Sequence, residues 1–257
     1  MVLFNNLRDE IMTNTNRIVT LDLEGDGLKK EINQKLFPTG CHFDPNTRIW
    51  CATFTTRKNG KIITETYATK LNGTRPVYVK DANGNDRMAG MTTAEHYDTT
   101  IIPTEIDTRF GHHHITPCES IISLTKRITM ALGFLSGNYE IWIKGYRDKD
   151  GKYYKYDQIA LLSSLYKLWP ELEESVINKQ FDDTLNVKFR DAAEEFPKLQ
   201  VNWPGTTEQV QIGDYKDNQT YMNTGIIHNI EDSYQLFTMV ERYAKESNKL
   251  AAINGDF

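Results

Sequence analysis

Two acidic residues, Asp22 and Glu24, interrupt an otherwise apolar segment near the start of the chain. The segment alternates as a β-strand does, so Val19, Leu21 and Leu23 share one face while the two acids share the other. Two carboxylates in a partly buried setting repel each other, and a divalent cation between them removes that cost. The pattern predicts a metal-binding face. Taken alone, an edge strand with a solvated face explains the two acids equally well.

Further candidates for the same chemistry occur in the second half of the chain. Asp157 stands directly before an apolar helical pattern, which favours it over the nearby Asp148 and Asp150. His228 and Asp232 lie four positions apart in the longest amphipathic helical pattern, so both side chains can reach one site. Carboxylates hold hard divalent cations, and an imidazole can accept a proton near neutral pH. The alternative for the histidine is an ordinary residue on the surface of a helix.

Segments around these residues resemble, in order, the motifs of the DEDD (DnaQ-like) exonuclease superfamily. The segments are residues 22–28, 141–145 with 155–162, 181–185, and 228–232. The first matches the pattern Asp-x-Glu-x-x-Gly-Leu. The second segment is similar to the family's second motif, in which a strand ends and an aspartate begins a helix. The third segment resembles the Asp-Thr strand end of the family. The fourth segment is similar to the family's third motif. The resemblance spans residues 16–245 apart from 70–115.

This resemblance implies an RNase H-like α/β fold that carries a metal-dependent 3′–5′ exonuclease. It implies that Asp22, Glu24, Asp157 and Asp232 hold two Mg²⁺ or Mn²⁺ ions. Asp22 is then shared by both ions, and Asp157 acts mainly through water. Glu24 and Asp232 complete the site of the ion that activates the attacking water, and His228 serves as general base. The implied reaction releases nucleoside monophosphates from the 3′ ends of single-stranded or fraying DNA.

The sequence departs from the family at two points. Three residues separate His228 from Asp232, whereas the histidine branch of the family usually has four, and the tyrosine branch has a tyrosine with three. A histidine therefore occupies the tyrosine-type spacing, in which positions i and i+4 share one helix face. The family's segment between the residues equivalent to Gly145 and Asp157 is also usually shorter.

A run of cations and tyrosines precedes the aspartate of the second motif. Its members are Lys144, Tyr146, Arg147, Lys149, Lys152, Tyr153, Tyr154, Lys155 and Tyr156. Cations for phosphates and rings for base stacking are what single-strand binding uses, so Tyr146, Lys155 and Tyr156 are candidate substrate contacts. An exposed β-hairpin that turns at residues 150–151, with solvated lysines, explains the run equally well. The family resemblance adds Leu28, from the segment that wedges the terminal nucleotide.

The elements that must position these residues alternate between strands and helices. Hydrophobic periodicity predicts strands at 17–24, 48–56, 61–67, 139–144 and 177–182, and helices at 116–135, 158–169, 187–195 and 225–245. Asn59 and Gly60 predict a tight hairpin between two of the strands. Thr116 as N-cap and Pro117 as first helical residue predict the start of the first helix.

The remaining segments carry no clear periodicity. Residues 70–115 are polar and are predicted to form an irregular insertion, and residues 197–222 a loop. The order of elements predicts a single α/β domain over residues 1–257, built on a mixed sheet flanked by helices.

Composition limits the class of function and the cellular compartment expected for the protein. The net charge of −5 argues against a static grip on duplex DNA, but is compatible with a nuclease whose metal ions reverse the local charge. No apolar run approaches the roughly 20 residues that span a bilayer, and residues 1–16 lack the features of a signal peptide. Three widely spaced cysteines suggest reduced thiols. We expect a cytoplasmic protein, or one in the host cytoplasm if phage-encoded, acting beside replication or repair proteins.

Three consecutive histidines, His112, His113 and His114, suggest a transition-metal site as an alternative. Consecutive residues rarely converge on one ion without a suitable loop. No fourth ligand is evident although Cys118 is near, so a polar loop is the favoured interpretation. Neither a phosphate-binding P-loop nor the glycine fingerprint of dinucleotide-binding proteins occurs in the sequence.

Two other functions fit the candidate residues. A 3′–5′ exoribonuclease differs in its contacts to the 2′-hydroxyl, which the sequence does not locate. The second is a catalytically silent domain of the same fold that binds nucleic acid or another protein. The presence of all five expected site residues argues against a silent domain.

Overall fold

A seven-stranded mixed sheet is the main element of the computed structural model. The structure describes residues 18–26, 35–36, 42–43, 48–70, 76–80, 86–91, 100–135, 139–147, 153–154, 157, 160–161, 164–165, 189–195 and 218–254. The strands of the main sheet are β1 (Ile18–Asp26), β4 (Arg48–Lys58), β5 (Lys61–Thr69), β8 (Glu105–Thr108), β9 (Gly111–Cys118), β10 (Glu140–Ile143) and β13 (Phe189–Asp191).

Three two-stranded ribbons and three helices complete the described elements. The ribbons pair β2 (Lys35–Leu36) with β3 (His42–Phe43), β6 (Pro76–Lys80) with β7 (Asp86–Met91), and β11 (Tyr146–Arg147) with β12 (Tyr153–Tyr154). The helices are α1 (Ile121–Leu135), α2 (Ala192–Glu195) and α3 (Asn218–Asn254). The described residues of the predicted helix 158–169, together with Asp157, are also helical.

The strand order in the main sheet is β13-β10-β1-β4-β5-β9-β8. β4 runs antiparallel to both β1 and β5, whereas β10 is parallel to β1 and β13 is parallel to β10. On the other side, β9 is parallel to β5, and β8 is antiparallel to β9. The predicted α/β class with a mixed sheet is confirmed.

The first strand has two buried faces of different chemistry. Val19, Leu21 and Leu23 pack into one hydrophobic cluster with residues of α1. On the opposite face, Thr20 donates a hydrogen bond to the carbonyl oxygen of Ser233 in α3, 2.9 Å away. Because β1 lies between β4 and β10, the alternative of an edge strand with a solvated face is wrong.

The hairpin between β4 and β5 is confirmed at the predicted turn. Asn59 has φ 49° and Gly60 has φ 76°, so both residues occupy the left-handed region that a two-residue type I′ turn requires. The strands pair from Lys58 and Lys61 outward. Asparagine and glycine adopt this conformation at lower cost than other residues, which is why the pair is so strong a signal.

The segment 70–115, predicted to be irregular, contains four strands among its described residues. β9 pairs with β5, so this part of the chain extends the main sheet. The three histidines lie in β9 and not in a polar loop, which corrects that interpretation. Hydrophobic periodicity did not predict β9, because a polar side chain, that of His113, occupies an inward position of the strand. His113 is buried and its two ring nitrogens contact the hydroxyls of Thr64 and Thr108, 2.7 and 3.0 Å away.

The first helix begins later than predicted. Thr116 and Pro117 belong to β9 and pair with β5, so their prediction as a helix start is wrong. Proline is tolerated there because β8 pairs only with the first half of β9. The backbone N–H of Ser123 donates to Oγ of Ser120, 3.1 Å away, which makes Ser120 the N-cap.

Two other predicted elements differ from the structure. The helix predicted at 187–195 is the strand β13 followed by the short helix α2. The predicted loop at 197–222 overlaps the start of α3 at Asn218, and α3 extends beyond the predicted helix at both ends. The predicted strand at 177–182 lies outside the described residues, as does 197–217.

A buried network of hydroxyls sets the register of α3 on the sheet. Oγ of Ser233 lies 2.8 Å from Oγ1 of Thr55 and donates to the carbonyl oxygen of Thr53, 3.2 Å away. Thr53 and Thr66 continue the network across to β5 with their hydroxyls 3.0 Å apart. Because an unmade bond in this buried network is costly, sliding α3 along the sheet is disfavoured.

The helix also approaches the sheet closely at a glycine, which leads to a prediction about stability. A Cβ at Gly225 would lie 2.5 Å from Cη2 and 2.9 Å from Cζ2 of Trp50, a ring that is fully buried. We expect Gly225→Ala to lower the free energy of unfolding by about 1–3 kcal/mol, because overpacking outweighs the gain in helix propensity. Gly133→Ala, in α1 with nothing within 4 Å, should raise it by up to about 1 kcal/mol. Urea unfolding of both variants tests the close packing of Gly225 on Trp50. Equal stabilities of the two variants would contradict this packing.

Candidate metal centre

Four carboxylates from three separate parts of the chain converge beside α3. Asp22 and Glu24 come from β1, Asp157 is a buried helical residue, and Asp232 comes from α3. Asp22 and Asp157 are only 8% and 5% exposed. Asp22 and Glu24 lie in β1 just beyond Thr20, its last residue paired with the parallel strand β10, and open α/β sheets most often bind ligands near the carboxyl ends of their parallel strands. The four predicted metal ligands are therefore near neighbours.

Burial and mutual repulsion act together on these acids. Burial, followed by the charges of Asp157 and Asp232, raises the pKa of Asp22 well above its usual range. The pKa of Glu24 is raised by burial and then by Asp22 and Asp232. The pKa of Asp157 is raised by burial and then by Glu24. Such crowding is costly for the folded chain, and a divalent cation bound among the acids would offset that cost.

Lys144 brings one positive charge to the four acids. It follows β10 directly, and its Nζ lies 3.3 Å from Oδ2 of Asp232. Its charge opposes the upward shifts in the pKa of Asp22, Glu24 and Asp157. The sequence placed Lys144 among candidate phosphate cations, whereas the structure places it on a carboxylate. When the four carboxylates are ionised, the single ammonium leaves a net negative centre, which fits divalent cations.

His228 lies on the same face of α3 as Asp232. Its Nε2 is 3.7 Å from Oδ2 of Asp232, and its side chain is 28% exposed. The predicted sharing of one helix face by positions i and i+4 is therefore confirmed. A partly exposed imidazole beside the acids can meet both water and a bound substrate.

Asn229 is a site residue that the sequence analysis missed. It is completely buried, and its Nδ2 donates to Oδ2 of Asp22, 2.7 Å away. Its Oδ1 accepts from the thiol of Cys51, with the sulfur 3.4 Å away. Burial, and then the charges of Glu24 and Asp22, raises the pKa of the Cys51 thiol well above its usual range, which keeps it a donor. Asn229 thus fixes the orientation of the Asp22 carboxylate.

Asp191 is a second missed residue, at the end of β13. It is 4% exposed, and its Oδ1 accepts from the backbone N–H groups of Gly145 and Glu194, 3.1 and 3.3 Å away. The second bond caps α2, and the first holds the turn that follows Lys144. Its charge also raises the pKa of Asp157. The spacing of an aspartate three residues before a glutamate was the signal that could have located this helix start.

The predicted substrate contacts are not tested by the structure. Leu28, Lys155 and Tyr156 lie outside the described residues, as does the segment 181–185. The backbone of Tyr146 pairs with Tyr154 in the ribbon of β11 and β12, in agreement with a hairpin through this region. The role of these four residues in binding a nucleic acid stays a prediction.

A second group of metal-type ligands lies on the hairpin of β8 and β9. Oxygen and nitrogen atoms of Glu105, His112 and His114 all lie within 4.8 Å of one another. Among the residues that the structure describes, this is the one group of three ligands so close together. The carboxylates of the acidic centre are more widely spaced, so binding a common ion there requires rotation of their side chains.

The hydrogen bond from Asn229 to Asp22 leads to a prediction about stability. We expect Asn229→Ala to lower the free energy of unfolding in EDTA by about 1–3 kcal/mol, because a buried carboxylate loses its donor. Asn223→Ala, a control on the partly exposed surface of the same helix, should change it by less than about 0.5 kcal/mol. Urea unfolding measures the free energy of unfolding of both variants. Equal effects would mean that Asn229 does not support Asp22.

None of the described helices is both long and apolar enough to cross a membrane. The chain was also compared with known proteins for similarity in sequence and in fold. No family model, no curated protein and no solved structure matches it.

Proposed function

We propose that the chain is a metal-dependent 3′–5′ exonuclease, which releases nucleoside monophosphates from single-stranded or fraying DNA. The observation that carries this proposal is the convergence of Asp22, Glu24, Asp157 and Asp232, with His228 on the same helix face as Asp232. The acids are distant in sequence, and their crowding is unfavourable without a cation. Divalent cations bound by the four carboxylates would offset this cost.

The sheet supports an RNase H-like fold as part of the proposal. Five of its strands are ordered β5-β4-β1-β10-β13, with three antiparallel strands followed by two that run parallel to β1. This arrangement is the one expected of an RNase H-like sheet. It places the acids of β1 beside the carboxyl end of β10 and under α3.

The donor set fits Mg²⁺ or Mn²⁺. Both are hard cations that prefer oxygen ligands, and the centre offers carboxylate oxygens from Asp22, Glu24, Asp157 and Asp232. Two such ions, when bound, supply an acidified water as nucleophile and stabilisation of charge on the leaving 3′-oxygen. Asn229 holds Asp22 in one orientation for this purpose, as residues around metal ligands commonly do.

His228 is the proposed general base. Its Nε2 is directed toward Asp232, and its partial exposure lets it reach a water molecule at the edge of the centre. The imidazole removes a proton from the attacking water, and the neighbouring carboxylate stabilises the resulting imidazolium. Lys144 keeps Asp232 in place through its ion pair.

The role of the histidine leads to a prediction about rate. We expect His228→Ala to slow cleavage by roughly 10²-fold or more at saturating Mg²⁺, because general-base catalysis is lost. Mn²⁺ affinity should stay within a few-fold of wild type, because the carboxylates are intact. Lys126→Ala, on the exposed surface of α1, is the matched control and should keep the full rate. Single-turnover rates of the two variants, with Mn²⁺ titrations, make the measurement; an unchanged rate in His228→Ala would remove the histidine from the mechanism.

The proposal is tested with 5′-labelled single strands of DNA and RNA of matched sequence, incubated with Mg²⁺, Mn²⁺ or EDTA. We expect a descending ladder on DNA that EDTA abolishes. Faster cleavage of RNA than of DNA would change the proposed substrate to RNA, and the proposed role of the acidic centre would stand. Binding of both strands without cleavage would overturn the proposal in favour of a silent nucleic-acid-binding domain.

A further inference from the structure

The hairpin of β8 and β9 presents metal-type ligands on its outer face. Strand alternation places His112 and His114 on one side of β9, and His113 on the buried side. In the pairing of the two strands, Glu105 lies opposite His114, and Asp107 lies opposite His112. Two imidazoles and two carboxylates therefore share a single exposed surface, although the three histidines are consecutive in sequence.

Glu105 lies between the two imidazoles. Its Oε2 is 3.5 Å from Nε2 of His112, and its Oε1 is 3.2 Å from Nδ1 of His114. The two rings meet edge to face with centroids 5.6 Å apart. Ligand atoms around a tetrahedral Zn²⁺ at bonds of about 2.0–2.1 Å are separated by roughly 3.4 Å, so small side-chain rotations bring these atoms to a common ion.

Asp107 orients one of the two histidines. Its Oδ1 lies 2.9 Å from Nδ1 of His112. This contact leaves Nε2 of the same ring directed toward Glu105. A carboxylate that holds the far nitrogen of a histidine ligand is a common feature of zinc sites, where it fixes the ring and raises its basicity.

From this geometry we propose that Glu105, His112 and His114 bind a borderline divalent ion of the Zn²⁺ type at a site separate from the acidic centre, with Asp107 as orienting residue. Imidazole and carboxylate together suit Zn²⁺ better than Mg²⁺, which prefers oxygen ligands alone. Three protein ligands, all exposed, leave the fourth position of a tetrahedral ion open to water.

The ion would join the two strands of the hairpin, because Glu105 belongs to β8 and both histidines to β9. The turn of this hairpin rests on α3. Nε of Arg109 lies 3.0 Å from Oε2 of Glu231, and the ring of Phe110 stacks on Tyr234 with centroids 4.3 Å apart. The site therefore stabilises the hairpin against the helix that carries His228 and Asp232.

The test is a calorimetric titration of the full chain with Zn²⁺ in the presence of millimolar Mg²⁺. We expect one site of micromolar affinity in the wild type and in Asp22→Asn, and no such site in the double variant His112→Gln, His114→Gln. Asp107→Asn should weaken binding by about 10–100-fold, as loss of an orienting carboxylate does. Circular dichroism confirms that each variant is folded. Asp107, His112 and His114 are exposed, so their replacement leaves the core intact.

Two results would overturn this proposal. The first is wild-type affinity no tighter than millimolar, which would make the cluster a set of surface ion pairs. The second is a micromolar site that persists in the double histidine variant, since Zn²⁺ would then be bound elsewhere. Neither result bears on the exonuclease, because cleavage with Mg²⁺ depends on the acidic centre.

Discussion

Asp22→Asn is expected to reduce Mg²⁺-dependent cleavage by roughly 10³-fold or more while making the metal-free protein more stable. The loss of rate follows because Asp22 belongs to the proposed catalytic centre, and residues of such a centre act as a unit. The gain in stability follows because burial, and then the charges of Asp157 and Asp232, raises the pKa of Asp22 and makes its ionised form unfavourable in the metal-free fold. Asparagine keeps the shape and still accepts the hydrogen bond from Asn229. Removing one charge should add about 1 kcal/mol, or about 2–4 °C in Tm.

Two measurements check the prediction. Cleavage of a labelled single strand gives the rate, and thermal unfolding with EDTA or with Mg²⁺ gives the stability. Glu119→Gln is the matched control, because Glu119 is exposed and lies outside the centre; neither rate nor Tm should change. Mg²⁺ should raise the Tm of the wild type more than that of Asp22→Asn. Wild-type cleavage by Asp22→Asn would refute the assignment of the centre.

The crowded acids also predict an unusual dependence of stability on pH. In EDTA, we expect the acidic centre to destabilise the folded chain as pH rises. The pKa values of Asp22, Glu24 and Asp157 are raised in the folded chain, so it binds more protons than the unfolded chain does. Stability is then lost from the ordinary carboxyl pKa, about 4, up to the raised values. Above those values the loss is complete.

Other acids in the chain titrate too, so the comparison is made between wild type and Asp22→Asn. In EDTA the two proteins should have similar Tm at pH 4, and Asp22→Asn should become the more stable one toward pH 8. Saturating Mg²⁺ should reverse the order at pH 8, because ionised Asp22 then binds cations. A difference in Tm that stays constant with pH would show that Asp22 is ionised throughout.

The central strand and its neighbours could be predicted from the sequence because local and tertiary signals agree there. The alternation through Asp22 and Glu24 is the alternation of β1 between two buried faces. The turn at Asn59 and Gly60 has one favoured geometry, the type I′ turn, and the structure contains this turn. The spacing of His228 and Asp232 fixes their common face on α3. Each of these patterns needs only neighbouring residues to be recognised.

The sheet beyond β5 could not be predicted, because polar residues occupy its inward positions. His113 contacts two threonine hydroxyls where a strand pattern normally has an apolar side chain. The same alternation that buries His113 brings His112 and His114 together, so missing the strand also hid their convergence. Local propensity is weaker evidence than tertiary contacts in such cases.

Asn229 and Asp191 were missed for a related reason. Their roles come from partners far away in the sequence, Asp22 for Asn229 and Gly145 for Asp191. A single buried asparagine or a helix cap carries no spacing that points to a distant carboxylate. The contribution of each residue depends on tertiary contacts, which bring Asn229 of α3 to β1 and Asp191 of β13 to Gly145.

The most direct test of the proposed exonuclease activity is the release of mononucleotide from a linear single-stranded DNA labelled at its 3′-terminal nucleotide. A circular single strand of the same sequence is the control. With Mg²⁺, we predict that the wild type releases the label as a nucleoside monophosphate and leaves the circle intact, while Asp22→Asn releases none. Cleavage of the circle at the rate of the linear strand, or release of label by Asp22→Asn at the wild-type rate, would contradict the account.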